Sequence, residues 1–417
     1  MILSFLQFFA FVFIIIYEFR RKSVSIFLWG TLFVMFSIPH LLMFFVGSFE
    51  YPSWVIDKVS IFVVLFCIFY MVGIKLIPWN NRPNISLLVP ENKSYITTFV
   101  FLLFVLIFVR TLVLYRATGS LLNTSWAENR NVSDEVFFMK LYAYFYYVFS
   151  SVLLLCFLYR THLKIVVVIA LLVFGVILSR NRMEILPLFI SIYWFYILKE
   201  NKFGGLFFIK CLLLLVCAVY SIFALLIFRY YGSIDMFLSS DIKWGDFNEV
   251  VTNMLFEGDG ELALRKVFYY FVYHDNDFGG FGEGHTYFRI LLWFLPTSLS
   301  FGIKPDDFAI TMGQAWIPGI ANFSVHPTLF GDCYANFGMC GCFLGLFWGI
   351  FIGVLDSYIR KAMYNNIKGF LLLILVSSNL VTIARGSVYN GFMCLLVGVI
   401  ILNIIFKFLS FHKSLDS

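Results

Sequence analysis

Long apolar runs broken by short polar turns recur along almost the whole chain. Most are long enough to cross about 30 Å of hydrocarbon as helices. The pattern predicts eleven spans, at 2–19, 26–47, 59–77, 95–115, 136–158, 164–178, 183–198, 206–228, 333–355, 369–384 and 387–408. The first carries no basic stretch ahead of it and no small-residue cleavage site before Arg20-Arg21-Lys22, so it reads as a retained helix. The hairpin 164–198 has two short spans joined by Ser179-Arg180-Asn181-Arg182-Met183-Glu184. Spans this short hold their turn among the headgroups, so Arg180 and Arg182 face a thinned or water-filled recess. The expected fold is an all-α polytopic integral membrane protein with about eleven transmembrane helices and one long extracytoplasmic loop. Helices fill 1–228 and 333–417, and the loop is 229–332.

That loop is the one long polar interruption. Between Arg229 and Asp332 lie 13 of the 24 acidic residues but only 6 of the 30 lysines and arginines. Within it, Tyr287–Leu299 is apolar enough to lie in the membrane interface or form a re-entrant piece, with Pro296 arguing against a full span. Pro327 and Asp332 mark the point where the chain returns to apolar sequence. Gly338, Gly341 and Gly345 follow, and small residues there allow close helix packing.

Composition agrees and narrows the chemistry. Hydrophobic residues make up 61% of the chain and charged residues 13%, with a mean hydropathy of +0.90. Globular domains carry about a quarter charged residues, so a soluble protein is excluded. The cysteines fall in or at the edge of apolar segments, which gives no disulfide framework. Phosphate-binding glycine loops, serine-hydrolase elbows and zinc-ligand spacings are absent from the sequence. The reading therefore assigns no cofactor, no metal and no nucleic-acid partner.

Placing Arg20-Arg21-Lys22 inside puts basic residues in every inner connection, the N-terminus and the long loop outside, and the C-terminus inside. The two bases then divide unequally. Eleven of the 16 lysines fall inside, whereas nine of the 14 arginines fall outside or at outer helix ends. Arginine is favoured over lysine for bidentate, partly desolvated contact with phosphate. Some outer arginines, Arg116 and Arg130 among them, read as snorkelling or acid-paired. Arg180, Arg182, Arg229 and Arg385 sit at the mouths of four spans, where ionisable residues are functional candidates. His326 stands at a polar–apolar boundary six residues ahead of Asp332. Such a position favours the neutral imidazole and suits a general base. Asp332 either orients it or is the base itself.

Gly284-His285-Thr286-Tyr287, followed by Leu295-Pro296 and Lys304-Pro305, resembles the loop pattern of oligosaccharide repeat-unit polymerases, the Wzy-type O-antigen polymerases. Pro327-Thr328-Leu329-Phe330-Gly331-Asp332-Cys333-Tyr334-Ala335-Asn336-Phe337-Gly338 is similar to that family's segment at the return to the membrane, where the family usually has Glu in place of Asp332. His326 is also similar in placement to a histidine of the related O-antigen ligases. The motifs cover about 60 residues. The resemblance implies a multi-pass enzyme of the bacterial inner membrane, with a GT-C-like fold as one possibility. Such an enzyme transfers a glycan from undecaprenyl pyrophosphate to the terminal sugar of another lipid-linked repeat unit in surface polysaccharide synthesis. Implied partners are the undecaprenyl-pyrophosphate-linked oligosaccharide, membrane lipids and a chain-length regulator. Pyrophosphate contacts fall to Arg180, Arg182, Arg229 and Arg385, loop contacts to Arg289 and His285, and the base to His326 or Asp332. The alternatives are an O-antigen ligase, another polyprenyl-linked glycosyltransferase and a lipid-linked oligosaccharide flippase. Charges gathered at one outer face, with no clear internal repeat, favour an enzyme over a transporter.

Overall fold

Every element described in the computed structural model is helical. It describes residues 2–46, 50–78, 94–119, 137–159, 162–178, 182–199, 264–295, 299–319, 323–365 and 367–415, with isolated helical positions between 209 and 249. Among the described residues, seven helical stretches are long and apolar enough to cross a membrane: Ile2–Arg21 (α1), Ile26–Phe45 (α2), Ser53–Leu76 (α3), Tyr95–Thr118 (α4), Leu141–Leu158 (α5), Thr328–Met363 and Val388–Phe408. Shorter apolar helices at Leu163–Gly175 (α6), Leu186–Lys199 (α7) and Lys368–Ala384 match three more of the expected spans. The remaining one, 206–228, lies almost wholly outside the described residues. Large apolar side chains point outward along these helices, among them Phe9 and Phe13 on α1 and Phe101 and Phe108 on α4. Hydrocarbon is the medium that accepts such faces. The chain is a multi-pass membrane protein.

The polar interruption also contains helices: Leu264–Tyr273 (α8), His285–Leu291 (α9) and Phe308–Trp316 (α10). The Thr328–Met363 stretch consists of Thr328–Phe337 (α11), a tight 3-10 turn over Gly338–Phe343 and Leu344–Asn365 (α12). Lys368–Ala384 (α13) and Val388–Leu415 (α14) complete the chain. These elements form two compact units, each assembled from separate segments. One comprises Met1–Asn81, Val251–Tyr358 and Asn379–Met393, and the other comprises the rest.

The first unit is built around α11. Phe330 meets Phe11, Phe36 and Phe66 with ring centroids 5.9, 5.4 and 5.2 Å apart, bringing α1, α2 and α3 onto one side chain. One turn later, Tyr334 closes a triangle with Phe62 and Phe268, each 5.6 Å away. Residues four apart share a helix face, so Phe330 and Tyr334 form the apolar anchor of α11. Asp332 and Asn336, also four apart, form its polar face. Helix α8 is equally embedded. Its Tyr269 hydroxyl bonds His40 of α2, whose other ring nitrogen lies 3.0 Å from Ser4. Arg265 is fully buried, with its guanidinium 3.1 Å from the Met43 sulfur, and burial lowers its pKa. A stretch that reads as loop in the sequence thus supplies core.

Glycine sets how closely α12 lies against α3. Gly345 and Gly349, one turn apart, meet the backbone carbonyls of Phe66 and Tyr70, and Gly73 meets that of Leu346. Only a residue without Cβ fits at each contact. Gly338 has φ 56° and ψ −143°, a conformation that glycine alone adopts readily, and it turns the chain out of α11.

The second unit carries a buried ion pair. Arg110 of α4 lies 3.2 Å from Glu184, and its guanidinium sits 4.2 Å over the Tyr142 ring. Arg110, an outer arginine by sequence, is a structural partner here.

Candidate functional site

Asp332 projects from the polar face of α11 and is 1% exposed. Its Oδ1 accepts a 3.0 Å hydrogen bond from the Thr286 hydroxyl of α9. Its Oδ2 has no hydrogen-bond partner, and no lysine or arginine pairs with it, among the described residues. Asn336 holds Thr286 in place: its side-chain oxygen accepts the Thr286 backbone N–H at 2.9 Å and its amide nitrogen donates to Thr286 Oγ1 at 3.1 Å. The same nitrogen donates to the Asp332 carbonyl at 2.8 Å. A buried threonine bracketed in this way has its hydroxyl proton directed at the carboxylate.

The loop before α9 fastens this arrangement. Gly282 and Gly284 donate their N–H groups to the Ala335 and Asn336 carbonyls at 2.9 and 3.0 Å, satisfying the open end of α11. Both glycines have positive φ, and a Cβ on Gly284 would stand 2.8 Å from the Phe337 ring. The Gly-Glu-Gly spacing is therefore a docking device for α11.

Asp332 faces a narrow recess, lined also by Thr286, Asp307, His326, Ser387 and Tyr389. Three separate stretches close it. Asp307 caps α10, accepting the Ala309 N–H at 3.1 Å. The run before α11 is held by Val325 N–H to the Ala309 carbonyl at 3.0 Å, next to His326, which lines the recess. The turn between α13 and α14 supplies the last wall. Gly386 there has φ 98°, and a Cβ on it would lie 2.7 Å from the Thr328 nitrogen and 2.8 Å from the His326 carbonyl carbon. Glycine lets this turn press against the backbone of 326–328.

Beside the recess, two cations flank Tyr389. The Arg289 guanidinium lies 4.6 Å from the ring centroid and donates to the Pro305 carbonyl at 2.6 Å. Lys304 lies 5.8 Å from the same centroid and donates to the Leu295 carbonyl at 2.8 Å. Neither pairs with a carboxylate among the described residues, and Arg289 Nε has no hydrogen-bond partner there. Two such cations oriented by backbone carbonyls and one ring suit an anion with several oxygens. Next to them, Leu291, Phe294, Leu299, Phe301 and Ile303 are exposed, leaving an apolar lip.

The sequence candidates therefore separate. His326 and Asp332 line one recess, Arg289 stacks on another of its residues, and half-buried Arg385 immediately precedes Gly386 in its wall. His285 turns away: its Nε2 meets Glu283 at 2.7 Å and its ring packs 5.4 Å from Phe308. Arg180 and Arg229 lie outside the described residues, as does the side chain of Arg182, which opens the short turn Arg182–Glu184. Of the four arginines expected at the mouths of the spans, only Arg385 has a described side chain. Thr286, Asn336, Lys304, Ser387 and Tyr389 escaped the sequence reading as site residues. The Asp332/Asn336 helical spacing was the available signal for one of them. Burial and nearby Cys333 and Asp332 hold the Tyr287 phenol well above its ordinary pKa, so it stays a neutral donor beside the site.

No protein-family model, curated protein or solved structure matches this chain.

Proposed function

We propose that this chain is a membrane glycosyltransferase of the polymerase type, acting on lipid-linked oligosaccharides at the outer face of a bacterial inner membrane. Its N-terminus and the 229–332 loop would be outside and its C-terminus cytoplasmic. The observation that carries the reading is the pairing of two chemistries in one place. A buried carboxylate with one oxygen unpartnered among the described residues faces the recess, while Arg289 and Lys304 stand beside it without acids. The donor's diphosphate lies against the two cations and its polyprenyl chain along the apolar lip from Leu291 to Ile303.

In this reading the acceptor sugar hydroxyl attacks the anomeric carbon of the donor. The new C–O bond forms as the bond from that carbon to the diphosphate oxygen breaks, and the diphosphate leaves with the electron pair. Asp332 takes the hydroxyl proton, with Thr286 fixing the carboxylate so that Oδ2 faces the acceptor. His326, across the recess, orients that hydroxyl. Diphosphate is a good leaving group, so matching its developing charge with oriented cations suffices. The resemblance in sequence and the site chemistry support the same reaction through the same residues.

The test uses purified protein in detergent with synthetic undecaprenyl-pyrophosphate-linked repeat units. Chain growth without a second compartment is the expected result. Transport without bond formation in vesicles would replace the reading with a flippase. Transfer only to lipid A–core would replace it with a ligase.

A further inference from the structure

A second surface, away from the recess, has the chemistry of a carbohydrate subsite. At the outer end of α8, five side chains form a continuous aromatic tract. Trp54 stacks on Tyr273 with centroids 6.1 Å apart and planes at 24°; His274 lies 5.1 Å from Tyr273 and 4.4 Å from Tyr270; Tyr270 meets Trp316 at 5.2 Å. Trp54 and Tyr273 remain 49% and 44% exposed although they are stacked. Two acid–base pairs rim the tract, Lys58 with Asp275 at 2.5 Å and Lys266 with Glu50 at 2.6 Å. Both carboxylates are exposed, so each has oxygens left to accept further hydrogen bonds.

We propose that this tract binds the glycan portion of the substrate. The proposal rests on the glycosyl-transfer reading and adds where the oligosaccharide lies. A pyranose has apolar C–H faces and a hydroxyl edge. Aromatic faces take the first and rim carboxylates the second. Lipid would be a poor occupant, because burying this rim in hydrocarbon would desolvate four charged groups.

The tract is tied to the recess by covalent structure. Helix α10 is capped by Asp307, which lines the recess, and ends at Trp316 in the tract. Its nine residues put these about 13 Å apart at 1.5 Å rise per residue. An oligosaccharide bridges that distance and a single sugar does not. The loop leaving α8 is also anchored to the helix that carries Asp332, through Asn276 Nδ2 to the Ala335 carbonyl at 3.1 Å.

The experiment uses the full-length protein in lipid nanodiscs. One probe is the water-soluble oligosaccharide released by mild acid from the source bacterium's own lipid-linked intermediates. The other is undecaprenyl pyrophosphate without sugar. Binding is read by saturation-transfer NMR for the sugar and by native mass spectrometry for the lipid. Tyr273→Ala and Trp54→Ala should weaken oligosaccharide binding about tenfold each, the scale of a lost ring contact. Tyr273→Phe and Trp54→Phe should stay near wild type, and sugar-free lipid should bind all variants alike. Hydroxyl-radical footprinting of the unmutated protein supplies a readout that needs no variant: the oligosaccharide should protect Trp54 and Tyr273. Unchanged binding in the alanine variants, or no protection in footprinting, overturns the subsite. So does quenching of Trp54 by brominated lipid, which would make the tract an interfacial anchor. If the unmutated protein binds neither probe, the glycosyl-transfer reading itself fails. If it binds the sugar-free lipid but not the oligosaccharide, only the subsite does.

Discussion

The Thr286 hydroxyl donates to Asp332 Oδ1 across 3.0 Å, joining a short helix of the polar loop to the buried helix α11. The bond fixes one carboxylate oxygen and leaves the other without a hydrogen-bond partner among the described residues, on a side chain that lines the recess. Thr286→Val would strip Oδ1 of this donor inside a buried site, at a cost of about 1–3 kcal/mol. Thr286→Ser keeps the hydroxyl. Serine should hold most of the transfer activity and valine should lose most of it; equal activities would remove Thr286 from the positioning role.

Asp332→Asn preserves size and can still accept the Thr286 hydrogen bond, but it cannot take a proton. Chain growth should fall about 100-fold or more, the contribution typical of a positioned base. Yield and thermal stability in detergent should stay near wild type. Retention of half the activity would move the base elsewhere, with His326 next in line.

Arg289→Lys keeps the charge and loses the planar fork that both donates to the Pro305 carbonyl and stacks on Tyr389. Binding of sugar-free undecaprenyl pyrophosphate should weaken in Arg289→Ala and recover only in part in Arg289→Lys. Full recovery by lysine would reduce the site to simple charge.

Gly386→Ala combines an unfavourable φ of 98° with a Cβ placed 2.7 Å from the Thr328 nitrogen. Strain of about 1–3 kcal/mol is expected, with a lower Tm and a loss of activity that exceeds the loss of folded protein, because the turn carries Ser387 and Tyr389 into the recess. An unchanged Tm would mean the turn relaxes away from 326–328.

Gly349→Leu tests the architecture apart from the chemistry. The new side chain meets the Tyr70 backbone carbonyl and forces α12 off α3. Overpacking of this kind costs about 1–3 kcal/mol or more. Thermal unfolding in detergent should shift downward; a wild-type Tm would contradict the close approach of the two helices.

The apolar runs alone determined that this chain spans a membrane many times, because an apolar helix satisfies its backbone groups internally in hydrocarbon. They marked ten of the described apolar stretches, although the third begins at Ser53 and not at 59, and the expected span 333–355 is two helices, Thr328–Phe337 and Leu344–Asn365, joined by a 3-10 turn. They also located the return segment where Asp332 lies. The small-residue spacing announced that Gly345 would meet a neighbour. What the sequence left open was the interior of the polar stretch. Composition averages over α8, whose Arg265, Phe268, Tyr269, Phe271 and Val272 are buried, and the exposed Asp275 and Asp277 that follow it. Averaging over the polar stretch hides a helix that is buried along nearly its whole length. The site was hidden for a related reason. Thr286 and Asp332 are 46 residues apart, and the 386–390 segment, the turn and the start of α14, comes more than 50 residues later still. Nothing local couples them. They meet because Phe330 and Tyr334 anchor one face of α11 in an aromatic core, which leaves its other face, with Asp332 and Asn336, for the loop glycines and Thr286 to cover.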